Sequence, residues 1–398
     1  MAKDSEGQNI MIKRKERSDT TNVFSPTFGY RPKYIVGRER EIAEFIDGIT
    51  DAPGNPNRAT FFIGQRGMGK TVLLLELAER AKEADFIVVR VTASETMLDD
   101  IIEGIQIAGE RHANERKLPI KSVSAGVFGF SVGLTFTEEI RNNYGFNTKL
   151  SLLCQALAKR KNGVLFLIDE ILANTTEMRT FATAYQQLVG DGMNVAVAMA
   201  GLPNAISSVL NDKILTFLNR AYKVILNPLQ ITDVSACYVK VLRDLDIEFD
   251  IETLNTAAQA TDGYPYLFQL IGYNMIKFLD GESKLTATTV ELAVSNSKRA
   301  LNSDVLLPCL NPLSTEDKRF LKAMSIDDKE SRVSDIRDRL QADKSHVQTY
   351  RRRLMGAGLI HSSSRGLLTF SIPYLRQYFR SESNSSVQEP QKAYNIWD

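Results

Sequence analysis

Thr60-Phe61-Phe62-Ile63-Gly64-Gln65-Arg66-Gly67-Met68-Gly69-Lys70-Thr71-Val72-Leu73-Leu74-Leu75 is the stretch that decides the fold of this chain. Four apolar residues predict a short buried strand, the glycines a tight turn, and the run from Lys70 to about Glu83 a helix. A phosphate-binding turn needs glycines because backbone N–H groups must converge on the anion with no Cβ in the way, while the helix N-terminus adds its dipole. Gly64, Gly67 and Gly69 meet that need, and Gln65, Arg66, Met68 and Val72 complete the binding stretch. Lys70 places an ammonium where the β- and γ-phosphates of ATP would lie, and the Thr71 hydroxyl is a candidate Mg²⁺ ligand.

Downstream, apolar runs at residues 86–91, 164–168 and 195–200 read as three further strands buried on both faces of a parallel sheet. With helices between them, the prediction is an α/β, doubly wound P-loop domain. The third of the four strands ends in Asp169-Glu170. Asp169 would hold the magnesium water shell, and Glu170 would act as general base or water-orienting group beside it. Alone, an apolar run ending in two carboxylates often marks only a strand meeting solvent. Joined to the glycine-rich turn, it predicts an ATP-hydrolysing site.

The chain has 398 residues, 43% hydrophobic and 24% charged, with a net charge of +1. That length allows two to four domains, and three are expected. Cys154, Cys237 and Cys309 are too far apart for a disulfide framework or metal cluster, and His112, His346 and His361 have no ligand spacing. No apolar stretch approaches 18 residues and the N-terminus lacks a signal-like segment, so a cytoplasmic protein with no membrane partner is expected. Polar ends at residues 1–27 and 381–398 read as flexible tails, 28–226 as the ATPase domain, 227–302 as a helical lid and 313–380 as a separate C-terminal module. Between the second and third strands, residues 122–137 alternate small and apolar types, and predict a glycine-rich hairpin. With no basic residue between Lys121 and Arg141, this hairpin suits packing on a neighbouring subunit or covering the sheet better than touching DNA.

In the C-terminal module, helices open at Ser314, Ser334 and Ser345, and a hairpin turns at residues 363–366. Three short helices and a hairpin form the pattern of a winged helix-turn-helix. From Lys344 to Arg380 there are seven Lys or Arg and no Asp or Glu. Such a local excess suits double-stranded DNA, with Gln348, Arg351, Arg352, Arg353 and Arg365 as candidate contacts. Winged helices also dock proteins, and a basic face can be merely solvated.

With these motifs in view, residues 28–380 resemble the AAA+ ATPases, especially the origin-recognition and initiator-like clade together with the related STAND signalling ATPases. Arg31-Pro32 and Val36-Gly37-Arg38-Glu39 resemble the segment that lies against adenine in those families, which makes Val36 a candidate base contact; a hydrophobic staple before a helix is the plainer alternative. Arg220 matches the family's arginine finger, acting on its own nucleotide or across a subunit interface of a homo-oligomer, although a surface arginine is the bland reading. Gly263-Tyr264-Pro265 resembles the Gly-x-Pro of STAND proteins, whose proline approaches the nucleotide, and also suits a simple helix start at Pro265. The resemblance implies an ATP- and ADP-binding switch that hydrolyses slowly and is coupled to DNA. A signalling or defence ATPase with an autoinhibitory or protein-docking winged helix is the alternative.

Overall fold

The computed structural model describes residues 23–27, 29–116, 130–172 and 175–385. It divides into two compact units, Met1–Leu245 and Asp246–Asp398.

The first unit is built on a five-stranded sheet of β1 (Ala59–Ile63), β2 (Phe86–Thr92), β3 (Gly163–Asp169), β4 (Val195–Gly201) and β5 (Tyr222–Ile225). Their order is β2-β3-β4-β1-β5 and every pairing is parallel. Strands β1, β3 and β4 are buried on both faces, which is why they read as unbroken apolar runs. β5 was absent from the four strands expected. It is an edge strand whose only buried residue is Val224, so its sequence carries no apolar run.

Helices α1 (Glu39–Thr50), α2 (Lys70–Glu83), α3 (Met97–Glu115), α4 (Phe146–Lys159), α5 (Thr176–Gly190) and α6 (Ile231–Asp244) belong to this unit, α2 to α5 lying between strands and α1 and α6 before and after them. Buried Arg58 closes α1, donating to the carbonyls of Ile49 at 2.6 Å and Asp51 at 2.7 Å, and to Asn194 Oδ1 on the loop before β4 at 2.8 Å. Of the hairpin expected over 122–137, residues 122–129 lie outside the described residues. The remainder pairs Phe130–Val132 with Thr135–Phe136 and covers α3: the rings of Phe130 and Phe136 stack 5.2 Å apart, and Gln106 Nε2 donates to Leu134 O at 2.7 Å. Gly109 makes room for it, since a Cβ there would come within 2.5 Å of Leu134 Cδ1. The N-terminal tail read to residue 27 is corrected at its end: Val23 and Phe24 are buried, and Phe24 meets Tyr238 edge-on at 5.6 Å. Residues 1–22 and 386–398 of the expected tails lie outside the described residues.

In the second unit, helices α7 (Ile251–Gln259), α8 (Pro265–Leu279) and α9 (Ala287–Leu301) come first. Asp250 and Thr286 cap two of them through the N–H groups of Thr253 and Thr289. A buried Asn274–Ser297 hydrogen bond of 2.8 Å ties α8 to α9. A π turn at Asn302–Leu306 follows, where Pro308 two residues later has no N–H to offer the regular ladder.

The last part holds α10 (Thr315–Ser325), α11 (Val333–Leu340), α12 (Lys344–Gly356) and α13 (Leu375–Ser385), with an antiparallel sheet of β6 (Ser331–Arg332), β8 (Leu367–Phe370) and β7 (Ile360–Ser364) in that order. Ser314 caps α10 as expected, in a reciprocal capping box with Asp317, whereas the helix starts expected at Ser334 and Ser345 are corrected: α11 begins at Val333 with no side-chain cap, and α12 is capped by Asp343. The tail read from residue 381 begins instead inside α13. Among the described residues, no helix is long and apolar enough to cross a membrane.

Candidate functional site

The glycine turn connects β1 to α2. Gly64 N donates to Gly201 O at 3.2 Å, tying the turn to the end of β4, and Gly67 and Gly69 adopt φ of +75° and +79°. Those left-handed conformations are why glycine stands at both positions. Gly64 is close to Met68 and Leu226, where a Cβ would meet carbons at 3.3 and 3.1 Å. The Lys70 ammonium folds back onto the turn, donating to the carbonyls of Gly64 and Gln65, each at 2.9 Å. Burial lowers its pKa to about 8, against the opposing pull of Asp169.

Asp169 ends β3 and stands beside the turn. The Thr71 hydroxyl donates to its Oδ2 at 2.7 Å, and Asp169 Oδ1 accepts from the Glu170 N–H at 2.9 Å. Asp169 O accepts from Ala93 N on the β2 side, while Ile171 N donates to Ala200 O on β4. Between those two ladder bonds Glu170 takes φ of +51°, uncommon for a residue with a long side chain. The left-handed turn leaves the Glu170 carboxylate exposed where β3 ends, adjacent to Asp169.

Val36 is buried within a strap, residues 29–38, fastened at three points. Arg31 grips Glu76 on α2, the Tyr34 hydroxyl donates to Asp244 on α6 at 3.1 Å, and buried Arg38 donates to Asn227 O at 2.5 Å. Sequence reasoning missed Glu76, although one carboxylate inside Leu73-Leu74-Leu75-Glu76-Leu77 was a usable signal. Within the expected binding stretch, the Gln65 amide oxygen is buried at the turn without a hydrogen-bond partner among the described residues.

Arg220 is not part of this cluster. It closes a 3₁₀ turn, Thr216–Arg220, and is exposed two residues before β5. Because Tyr222 is level with Thr60 in a parallel pair, Arg220 sits at the start of the strands, whereas the glycine turn follows their ends. About 20 Å of strand separates the two, which removes a role on its own nucleotide. Pro265 takes the first position of α8, after Asp262 and Gly263 with φ of +50° and +66°.

The basic residues of the C-terminal module divide into two groups. Gln348, Arg352 and Arg365 are exposed, Arg351 is partly covered, and Lys344 is exposed at the start of α12. Arg353 instead pairs with fully buried Asp317 at 3.0 Å, joining α12 to α10. Arg376 and Arg380 turn inward onto the loop after α10: Arg376 donates to the carbonyls of Met324, Asp327 and Lys329, and Arg380 to those of Ser325, Ile326 and Asp327. Of the seven expected cations, Arg353, Arg376 and Arg380 are thus engaged within the module, although Arg353 is itself still exposed and the other two are only partly covered.

Comparison with known proteins adds four findings. Residues 304–379 match a family described as Domain of unknown function (DUF8462). The structure is similar to the Walker-type ATPase PABY2304 of Pyrococcus abyssi, with a TM-score of 0.64 and 14% identity over 87% of this chain and 96% of that one. It is also similar to the Aeropyrum pernix ORC2 protein in its ADPNP–ADP complexes, at a TM-score of 0.55 and 14% identity over 90% and 98%. In sequence, 302 residues are 25% identical to the chaperone protein ClpB of Lactococcus lactis, a match covering 65% of this chain and 33% of ClpB. The chain therefore spans about a third of that relative's length. The fold is the α/β P-loop fold of AAA+ ATPases, a parallel five-stranded sheet with many helices.

Proposed function

We propose that this chain is an ATPase that binds ATP with Mg²⁺ at the Gly64–Thr71 turn, hydrolyses it slowly, and uses the nucleotide state to control a DNA-binding winged helix-turn-helix at residues 313–380. The 2.7 Å hydrogen bond between Thr71 and Asp169 carries this reading, because it joins the two oxygen ligands that a hard divalent cation needs. The ADPNP–ADP complexes of the ORC2 relative agree with an adenine nucleotide as ligand.

The residues present fit both groups. Two left-handed glycines open the turn to an anion, Lys70 supplies an ammonium already aimed at the turn, and Thr71 with Asp169 offers a hydroxyl and a carboxylate. When bound, Mg²⁺ would neutralise charge on the β- and γ-phosphates. Lys70 leaves the carbonyls of Gly64 and Gln65 for the phosphate oxygens. Glu170 accepts the proton of the attacking water, whose oxygen forms the new bond to the γ-phosphorus as the bond to the β–γ bridging oxygen breaks. Placed at the opposite end of the strands, Arg220 acts on the nucleotide of a second copy, in a homo-oligomer. The helix start at Pro265 carries no arginine, which is the reason to expect slow turnover.

Lys344, Arg351, Arg352 and Arg365 supply the charge for duplex DNA, and Gln348 and Arg352 project from the exposed side of α12 towards base edges. Residues 227–302 form the lid in this scheme. One observation favours the second reading, a signalling or defence switch with a protein-docking winged helix: three of the seven cations are used internally, and Ile326 is 63% exposed on the loop that Arg376 and Arg380 hold.

The first test is Glu170→Gln, in which nucleotide binding should survive and hydrolysis nearly vanish; unchanged hydrolysis removes Glu170 from its role. The second measures duplex affinity against salt and ATP turnover with and without duplex. A steep salt response with altered turnover supports the DNA switch, whereas no affinity and no effect on turnover transfer the module to protein docking.

A further inference from the structure

Glu76 is a carboxylate only 6% exposed, in the middle of the helix that begins at the phosphate turn. Burying such a charge is costly unless it is paired, and here it is paired twice. Oε1 accepts from Arg80 Nε at 2.9 Å, one turn along the same helix. Oε2 accepts from Arg31 Nε at 2.7 Å and lies 2.6 Å from Arg31 Nη2. The first pair is internal to α2 and joins nothing else. The second crosses 45 residues of chain and fastens the strap to α2.

The strap has no strand or helix of its own between residues 29 and 38, so its backbone is held by side-chain anchors and not by a ladder. Its far end is attached elsewhere, by Tyr34 to Asp244 and by Arg38 to Asn227 O. Arg31 ties it to the element that carries the phosphate turn.

We propose that Arg31 is a positioning residue for the nucleoside end of the ligand: its grip on Glu76 holds the strap, with Val36, in register with the phosphate turn. This rests on the reading of that turn as an adenine-nucleotide site. A planar guanidinium placing two N–H groups on one carboxylate oxygen sets direction as well as distance, which a lysine can do only in part. With the grip released, the strap samples other placements, and affinity for any ligand that touches it falls by the fraction of time it is out of place. A ligand that touches only the phosphate turn is unaffected.

The experiment compares ATP with inorganic tripolyphosphate, each with Mg²⁺, on the full chain by calorimetry. Arg31→Ala should weaken ATP roughly tenfold and leave tripolyphosphate unchanged. Arg31→Lys should recover part of the loss, and Arg80→Ala, which removes the other partner of Glu76, should alter neither ligand. Four results overturn the proposal: Arg31→Ala binding ATP like the wild type, an equal loss for both ligands, the same loss in Arg80→Ala, or a wild type that does not distinguish ATP from tripolyphosphate. Should Arg31→Ala fail to fold, Arg31→Lys decides by the same comparison. A wild type that binds neither ligand defeats the reading of the phosphate turn itself, which is a separate outcome.

Discussion

Thr71 and Asp169, 98 residues apart in the chain, share a 2.7 Å hydrogen bond where the helix after β1 begins and β3 ends. The strand order brings this about, since β1 and β3 flank β4 and all three run the same way. Losing either oxygen should damage turnover more than binding. Thr71→Ala and Asp169→Asn should each lower phosphate release at saturating ATP by roughly tenfold or more, while Thr71→Ser, which keeps the hydroxyl, stays within about twofold of wild type.

Lys70 gives a pH signature. Its folded pKa is about 8, lowered by burial from 10.5, so the protonated amine is disfavoured in the ligand-free protein. Below about 8 the group is charged in both folded and unfolded states, and the penalty is fully present. Between about 8 and 10.5 the unfolded chain binds more protons, so this group makes stability rise with pH. Lys70→Met should therefore stabilise the ligand-free protein at neutral pH, by at most about 3 kcal/mol. The gain should shrink towards pH 10.5, as read by urea unfolding at several pH values.

Gly163 opens β3 at the end away from Asp169, and a Cβ there would collide with the Phe86 ring and approach Asn194 Nδ2 at 2.8 Å. Gly163→Ala should cost about 1–3 kcal/mol through overpacking. Turnover per folded molecule should be preserved, since the collision is a full strand length from the site. Thermal unfolding and an activity assay well below the midpoint separate the two effects.

Adjacent arginines on α12 should behave oppositely. Arg353 neutralises Asp317, whose Oδ1 is already buried without a partner, so Arg353→Ala should destabilise the protein by about 1–3 kcal/mol. Arg352→Ala, exposed, should change stability by less than about 0.5 kcal/mol and weaken duplex binding. Calorimetric unfolding and a duplex titration check both.

These contrasts show what the sequence could and could not convey. The glycine turn, Asp169-Glu170, the buried strands and the Ser314 cap were legible because each is a local pattern: residue types at fixed spacing dictate backbone conformation or burial. β5 was not legible, because an edge strand of four residues with one inward side chain has no period to detect. The charge run from Lys344 to Arg380 misled in part, since Arg376 and Arg380 find backbone carbonyls some fifty residues earlier, and carbonyls have no letter in the sequence. The grip of Arg31 on Glu76 and the role of Arg58 were hidden for the same reason: what an arginine does is decided by acceptors that only the fold assembles.

Helix α3 ends at Glu115, where Arg116 pairs with Asp85, and the chain is anchored again at Phe130, buried and stacked on Phe136. Helix α3 is therefore clamped at its C-terminal end to the residue that precedes β2 and covered along its face by the stacked hairpin, so two separate fixings hold it in place.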